Sequence, residues 1–139
     1  MATDYSDYEF LKVEVADRVA TITINRPESL NAVNNVVHHE LEQIWIDVRA
    51  DRDVNAIILT GAGRAFCAGG DVKGMADGSL SGQGARGKGR GRGPITASNG
   101  RRLVDNFLDV EQPVIGAING DAIGLGATLA LLCDIIVVS

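Results

Sequence analysis

Two glycine-rich turns, each following an apolar run, carry the residues in this chain that are best suited to chemistry. The first is Gly61-Ala62-Gly63-Arg64-Ala65-Phe66-Cys67-Ala68-Gly69-Gly70-Asp71, and the second is Asn119-Gly120-Asp121-Ala122-Ile123-Gly124-Leu125-Gly126-Ala127-Thr128. Glycine at such places lets a ligand approach bare backbone and permits dihedrals that side chains disfavour. The second turn runs straight into a helix-like segment, so its free N–H groups and positive dipole end would face any bound anion. Two such N–H groups converging on one oxygen would form an oxyanion hole, worth a few kcal/mol of barrier for each donor. Glycine content alone fits a pair of tight connections equally well.

Other reactive residue types offer less. Cys67 has no histidine close in sequence, and His38 and His39 are expected on the polar face of a helix. Asp71 reads as a pin for its own loop, Asp121 as a turn aspartate that could also face a pocket, Cys133 as core and Trp45 as packing. No metal site is expected. Arg86, Lys88, Arg90 and Arg92 give a short basic run among glycines. Without aromatic residues for stacking, and on an otherwise acidic chain, that run does not make a nucleic-acid binder.

The elements that must position the two turns follow from periodicity. Leu11–Val15 and Ala20–Ile24 alternate apolar and polar around Ala16-Asp17-Arg18, which predicts a β-hairpin with one buried face. Pro27 then ends the strand. Val37, Leu41, Ile44 and Val48 recur at helical spacing, predicting a helix from about Asn34 to Arg49 with Asn34 or Asn35 as N-cap. Ala56–Thr60 has no polar face, as expected of a strand covered on both sides. Residues 78–94 are low-complexity and predict a mobile loop. A helix should resume near Ser98, bury Leu103, Phe107 and Val110, and stop before Pro113. Val114–Ile118, a helix over about Gly126–Cys133 and a core strand Ile135–Val138 complete the order. Strands alternating with helices predict an α/β layering with parallel pairing.

Composition bounds the rest. The chain has 139 residues, 45% of them hydrophobic, enough for one domain with a real core over residues 1–139. A formal charge of −5 excludes a general nucleic-acid or anionic-membrane binder. Two cysteines make no disulfide framework and fit a reducing compartment. The acidic, polar N-terminus is unlike a secretory signal, and the longest apolar run is broken by Asp134. The expectation is a soluble, cytoplasmic protein.

Four pieces taken together carry a resemblance. Asn25-Arg26-Pro27 with Leu30-Asn31-Ala32, then Phe66-Cys67-Ala68-Gly69-Gly70-Asp71, then Ala117-Ile118-Asn119-Gly120, then Cys133-Asp134-Ile135 are similar, in order and spacing, to the signatures of the enoyl-CoA hydratase/isomerase (crotonase) family. The match runs from about Leu11 and corresponds to the N-terminal half of the family's length. The resemblance implies a ββα superhelix of the ClpP/crotonase type, a homotrimer or hexamer, and an acyl-CoA thioester substrate. Coenzyme A would enter as part of that substrate, with no tightly bound cofactor.

By position, the resemblance makes Gly70 one oxyanion donor. The second falls at the middle of the family's usual triple glycine, here Gly124-Leu125-Gly126, and so on the N–H of Leu125. It lays Ala68, Gly69, Gly70, Asp71, Val72 and Lys73 along the coenzyme, with Leu30 and Ala32 beside it and Leu125 and Gly126 at the thioester. Arg26 and Lys73 become candidate partners for its phosphates. It implies hydration or isomerisation of an enoyl-CoA through a stabilised enolate. One departure stands out: many family hydratases carry a glutamate two residues after the triplet, as one of two carboxylates that handle the water, where this chain has Thr128. A threonine hydroxyl does not act as a general base near neutral pH. Another enolate reaction, such as hydrolysis or decarboxylation, and a non-catalytic acyl-CoA-binding subunit are the alternatives.

Overall fold

The computed structural model describes residues 3–72 and 95–139. A single sheet orders its strands β1-β2-β3-β4-β5, as Leu11–Ala16, Val19–Ile24, Ala56–Gly61, Val114–Ile118 and Ile135–Val138. The first pair is antiparallel and every later pair is parallel, so the expected parallel layering holds from β2 onward. Among the described residues, three α-helices link the strands: α1 (Asn35–Ala50), α2 (Ala97–Leu108) and α3 (Leu125–Leu132). The predicted loop over 78–94 lies outside the described residues.

The hairpin closes through Asp17 and Arg18, both at positive φ (49° and 64°), the geometry that matches the twist of flanking strands. Its buried face belongs mainly to β2, through Ala20, Ile22 and Ile24; in β1 only Leu11 is fully covered. Helix α1 starts where the sequence places it, because the Asn34 side chain accepts the Val37 N–H. Val37, Leu41, Ile44 and Val48 have no exposed surface, and Trp45 packs on Phe107 of α2 with ring centroids 4.3 Å apart and planes tilted by 55°. Thr96 caps α2 in a reciprocal box with Asn99. Leu103 and Phe107 are buried as expected, whereas Val110 is only partly covered.

The expectations for β3 and His38 are corrected. In β3 one face is buried, through Ile57, Leu59 and Gly61, while Ala56, Ile58 and Thr60 are only half-covered. Strand β5 is exposed on both faces: it pairs with β4 along one edge, and no described element lies over it. An unbroken apolar run records that a strand prefers cover, not that the cover lies within these residues. His38 is not on a polar face but buried, at 4% exposure. No described helix is long and apolar enough to cross a membrane.

Candidate active site

The sheet delivers both glycine turns to one place, because β3 and β4 are parallel neighbours and each turn leaves the C-terminal end of its strand. Crevices outside the carboxyl ends of parallel strands are where open α/β sheets bind ligands. The turns lie directly against each other. The Cys67 N–H donates to the Asp121 carbonyl at 3.0 Å, and the Ile123 N–H donates back to the Cys67 carbonyl at 2.9 Å. Gly69 has φ of +85°, and a Cβ there would stand 2.6 Å from the Ile123 carbonyl oxygen. A Cβ on Gly126 would stand 2.2 Å from the Cys67 carbonyl oxygen. Glycine is required at both positions for close backbone approach.

Gly70 follows Gly69 on one turn, and Leu125 follows Gly124 on the other, so the two positions flank the contact between the turns. Among the described residues neither the Gly70 N–H nor the Leu125 N–H has a hydrogen-bond partner. Leu125 opens α3, where an unpaired N–H is expected. Gly124 before it has φ of 57° and ψ of −118°, which aims the helix start without a capping side chain.

A second layer holds the first turn from below. Residues 30–33 run parallel to residues 68–71: the Ala68 N–H donates to the Leu30 carbonyl, the Val33 N–H to Gly69, and the Asp71 N–H to Val33. This brings Leu30, Ala32, Ala68, Gly69, Gly70 and Asp71 together as one strip. Arg26 Nη1 closes its end, 2.8 Å from Asp71 Oδ2 and 3.0 Å from the Ala32 carbonyl. Both side chains of that ion pair are about 15% exposed. The expected pinning role of Asp71 is therefore met through Arg26, and the Arg26 guanidinium lies on the strip instead of extending from it. It also sits 5.7 Å from the centre of the Phe10 ring. Val72 is exposed, and Lys73 lies outside the described residues.

Two asparagines matter more than their sequence reading implied. Asn31 is fully buried at a positive φ of 57°. Its Nδ2 donates to the carbonyls of Ala62 and Ala65, both at 2.9 Å, and its Oδ1 accepts the Arg26 N–H. Asn119, at the end of β4, donates to Gly63 and to the same Ala65 carbonyl, and accepts the Gly61 N–H. Ala65 is thus gripped from both sides. The signal lay in plain view, since both asparagines belong to the quoted motifs, but nothing in sequence tells that their amides converge.

The remaining candidates sort clearly. Thr128 is exposed, and its hydroxyl bonds back to the Gly124 carbonyl at 3.3 Å. Gly126 is buried against Cys67. The Asp121 side chain is exposed. Cys67 is buried, and burial pushes its thiol up, which suits packing and not nucleophilic attack. Cys133 is core, with its thiol on the Leu129 carbonyl. Asp134 fastens β5's start by accepting the Val114 N–H at 2.8 Å. A hollow of about 550 Å³ lined by Thr3, Tyr5, Tyr8, Leu11 and Asn25, among others, contains no residue of either turn.

A mixed sheet with two backbone turns meeting at its carboxyl edge defines an α/β protein of the crotonase type, and comparison agrees. The family model described as Enoyl-CoA hydratase/isomerase matches residues 14–139. The chain belongs to that family. It is similar to a probable enoyl-CoA hydratase of Rhizobium meliloti, 36% identical over 95% of this chain and 47% of that protein. It is also similar to the 1,2-epoxyphenylacetyl-CoA isomerase of Escherichia coli, 38% identical over 93% of this chain and 47% of that protein. Among solved structures, an enoyl-CoA hydratase/isomerase from Mycobacterium paratuberculosis superposes with a TM-score of 0.75. It is 35% identical, over 93% of this chain and 49% of that one. The chain spans about half the length of the curated relatives it matches.

Proposed function

We propose that this chain binds an acyl-CoA thioester and stabilises the enolate oxygen with the N–H groups of Gly70 and Leu125. The observation that carries the reading is the pair of abutting turns, in which these two donors have no partner among the described residues and stand on either side of the contact. A backbone donor is preserved whatever side chain follows it, so Leu125 in place of a middle glycine keeps the N–H. The strip from Ala68 to Val72, backed by Leu30 and Ala32, would lie along the coenzyme. Arg26 would act on it through Asp71 and Ala32. No tightly bound cofactor is required.

The reaction is enoyl-CoA hydration or isomerisation, in keeping with the family. Thr128 favours a second reading within the same site. Its exposed hydroxyl is turned to a helix carbonyl, and it offers no base at the family's glutamate position. Another enolate reaction would need none there, and binding without turnover would need neither carboxylate. Crotonyl-CoA turnover followed by loss of the enoyl-thioester absorbance, with calorimetric binding alongside, separates the readings. Hydration supports the first, a different product the second, and binding alone a non-catalytic role. Absence of binding to any acyl-CoA contradicts them all.

A further inference from the structure

Helix α1 carries a cluster that the acyl-CoA reading does not use. His38, His39 and Glu42 each present a ligand atom, and these atoms lie within 4.8 Å of one another. His38 is 4% exposed, and its Nδ1 is buried with no hydrogen-bond partner. A buried polar atom left unpaired carries a desolvation cost that a partner would remove. The other members are already gathered: His39 Nδ1 stands 3.4 Å from Glu42 Oε2, and the two imidazole rings meet edge to face at 6.0 Å. Both His39 and Glu42 are partly accessible, which leaves an ion and its waters a way in.

We propose that His38, His39 and Glu42 form a binding site for a divalent transition-metal ion of the zinc class. Two imidazoles and one carboxylate are the donor types that zinc takes, with remaining positions filled by water. Ligand atoms at about 2.0–2.2 Å around a tetrahedral zinc stand roughly 3.4 Å apart. The cluster therefore closes on an ion through side-chain shifts of under ~1 Å. From α2, Asn99 Nδ2 and Arg102 Nε each reach Glu42 at 3.4 Å. They would hold the carboxylate as outer partners, so the ion would also fasten α1 to α2.

The test uses the untagged full chain, stripped with EDTA and titrated with Co(II) and then Zn(II). Visible absorption, calorimetry and thermal unfolding are the readouts. The expected result is one ion per chain at micromolar affinity or tighter, a Co(II) visible band that Zn(II) displaces, and a raised unfolding midpoint. His39→Gln should weaken binding by about tenfold or more, and adding Glu42→Gln should abolish the band, with far-UV circular dichroism unchanged. Arg102→Met, acting only through Glu42, should weaken binding by about tenfold. His39→Gln carries the test alone if the double variant fails to fold, because Glu42 also holds Asn99 and Arg102. No uptake at stoichiometric metal, or uptake of undiminished affinity in His39→Gln, overturns the proposal.

Discussion

Asn31 is the residue on which the strip and the first turn jointly depend. With Leu30 it occupies two successive left-handed positions, at φ of 57° and 53°, which L-residues adopt at a cost of about 1–2 kcal/mol each. Three side-chain hydrogen bonds offset that cost and tie residues 26, 62 and 65 together. Asn31→Ala should therefore destabilise the chain by about 1–3 kcal/mol, the range for leaving buried partners unsatisfied, read from urea unfolding. A loss within experimental error would mean that the three bonds do not hold the turn. Glu40 supplies a pH-dependent counterpart. Its carboxylate accepts the N–H groups of Glu9, Phe10 and Leu11, yet burial outweighs these bonds and raises it above its ordinary 4.5. The folded chain thus holds this proton more firmly than the unfolded chain. Its contribution is fully present below 4.5 and is lost as pH rises through the folded value. The stability difference between the native chain and Glu40→Gln should shift in that direction over the window, and a constant difference would contradict it.

At the scale of elements, how much could be read in advance depended on whether the signal was local. The α1 face was legible because Val37, Leu41, Ile44 and Val48 obey one period, and the Asn34 cap is a local bond. The two turns were legible as glycine clusters, and the family resemblance paired Gly70 with Leu125. The grip of Asn31 and Asn119 on Ala65 was not legible, because it joins residues 34 and 54 positions apart along the chain. Nor was the turn of Arg26 toward Asp71, a choice between solvent and a partner 45 residues away. Arg26→Met should loosen the strip and weaken acyl-CoA binding while leaving Gly70 in place. Unaltered binding would separate the ion pair from the coenzyme's path. On α3, Thr128→Ala should leave turnover unchanged, since the hydroxyl bonds only to Gly124 among the described residues. Thr128→Glu should raise hydration toward the ~10²–10⁴-fold of general acid–base catalysis only where a second carboxylate and a positioned water are present.

For the molecule as a whole, the apolar surface at the β5 end sets the main expectation. Ile135, Ile136, Val137 and Val138 are 43–68% exposed, and Leu131 of α3 is 77% exposed. Contiguous apolar surface of this kind is rarely left bare, and an open strand edge adds unpaired backbone groups. Sequence reading identified the run and its need for cover. We propose that this surface is covered by association, with a homotrimer or hexamer as the family resemblance implies. Sedimentation velocity should show a self-associated species that Val137→Lys disperses, and a monomer at micromolar concentration would contradict it. The central claim concerns one oxygen atom, and 13C NMR of crotonyl-CoA labelled at the thioester carbonyl addresses it most directly. Binding to the native chain should move the carbonyl resonance downfield as two N–H donors polarise it. Gly70→Pro, which removes one donor, should reduce that shift sharply while retaining much of the coenzyme affinity. No shift on binding, or the same shift in Gly70→Pro, would contradict the placement of the thioester between Gly70 and Leu125.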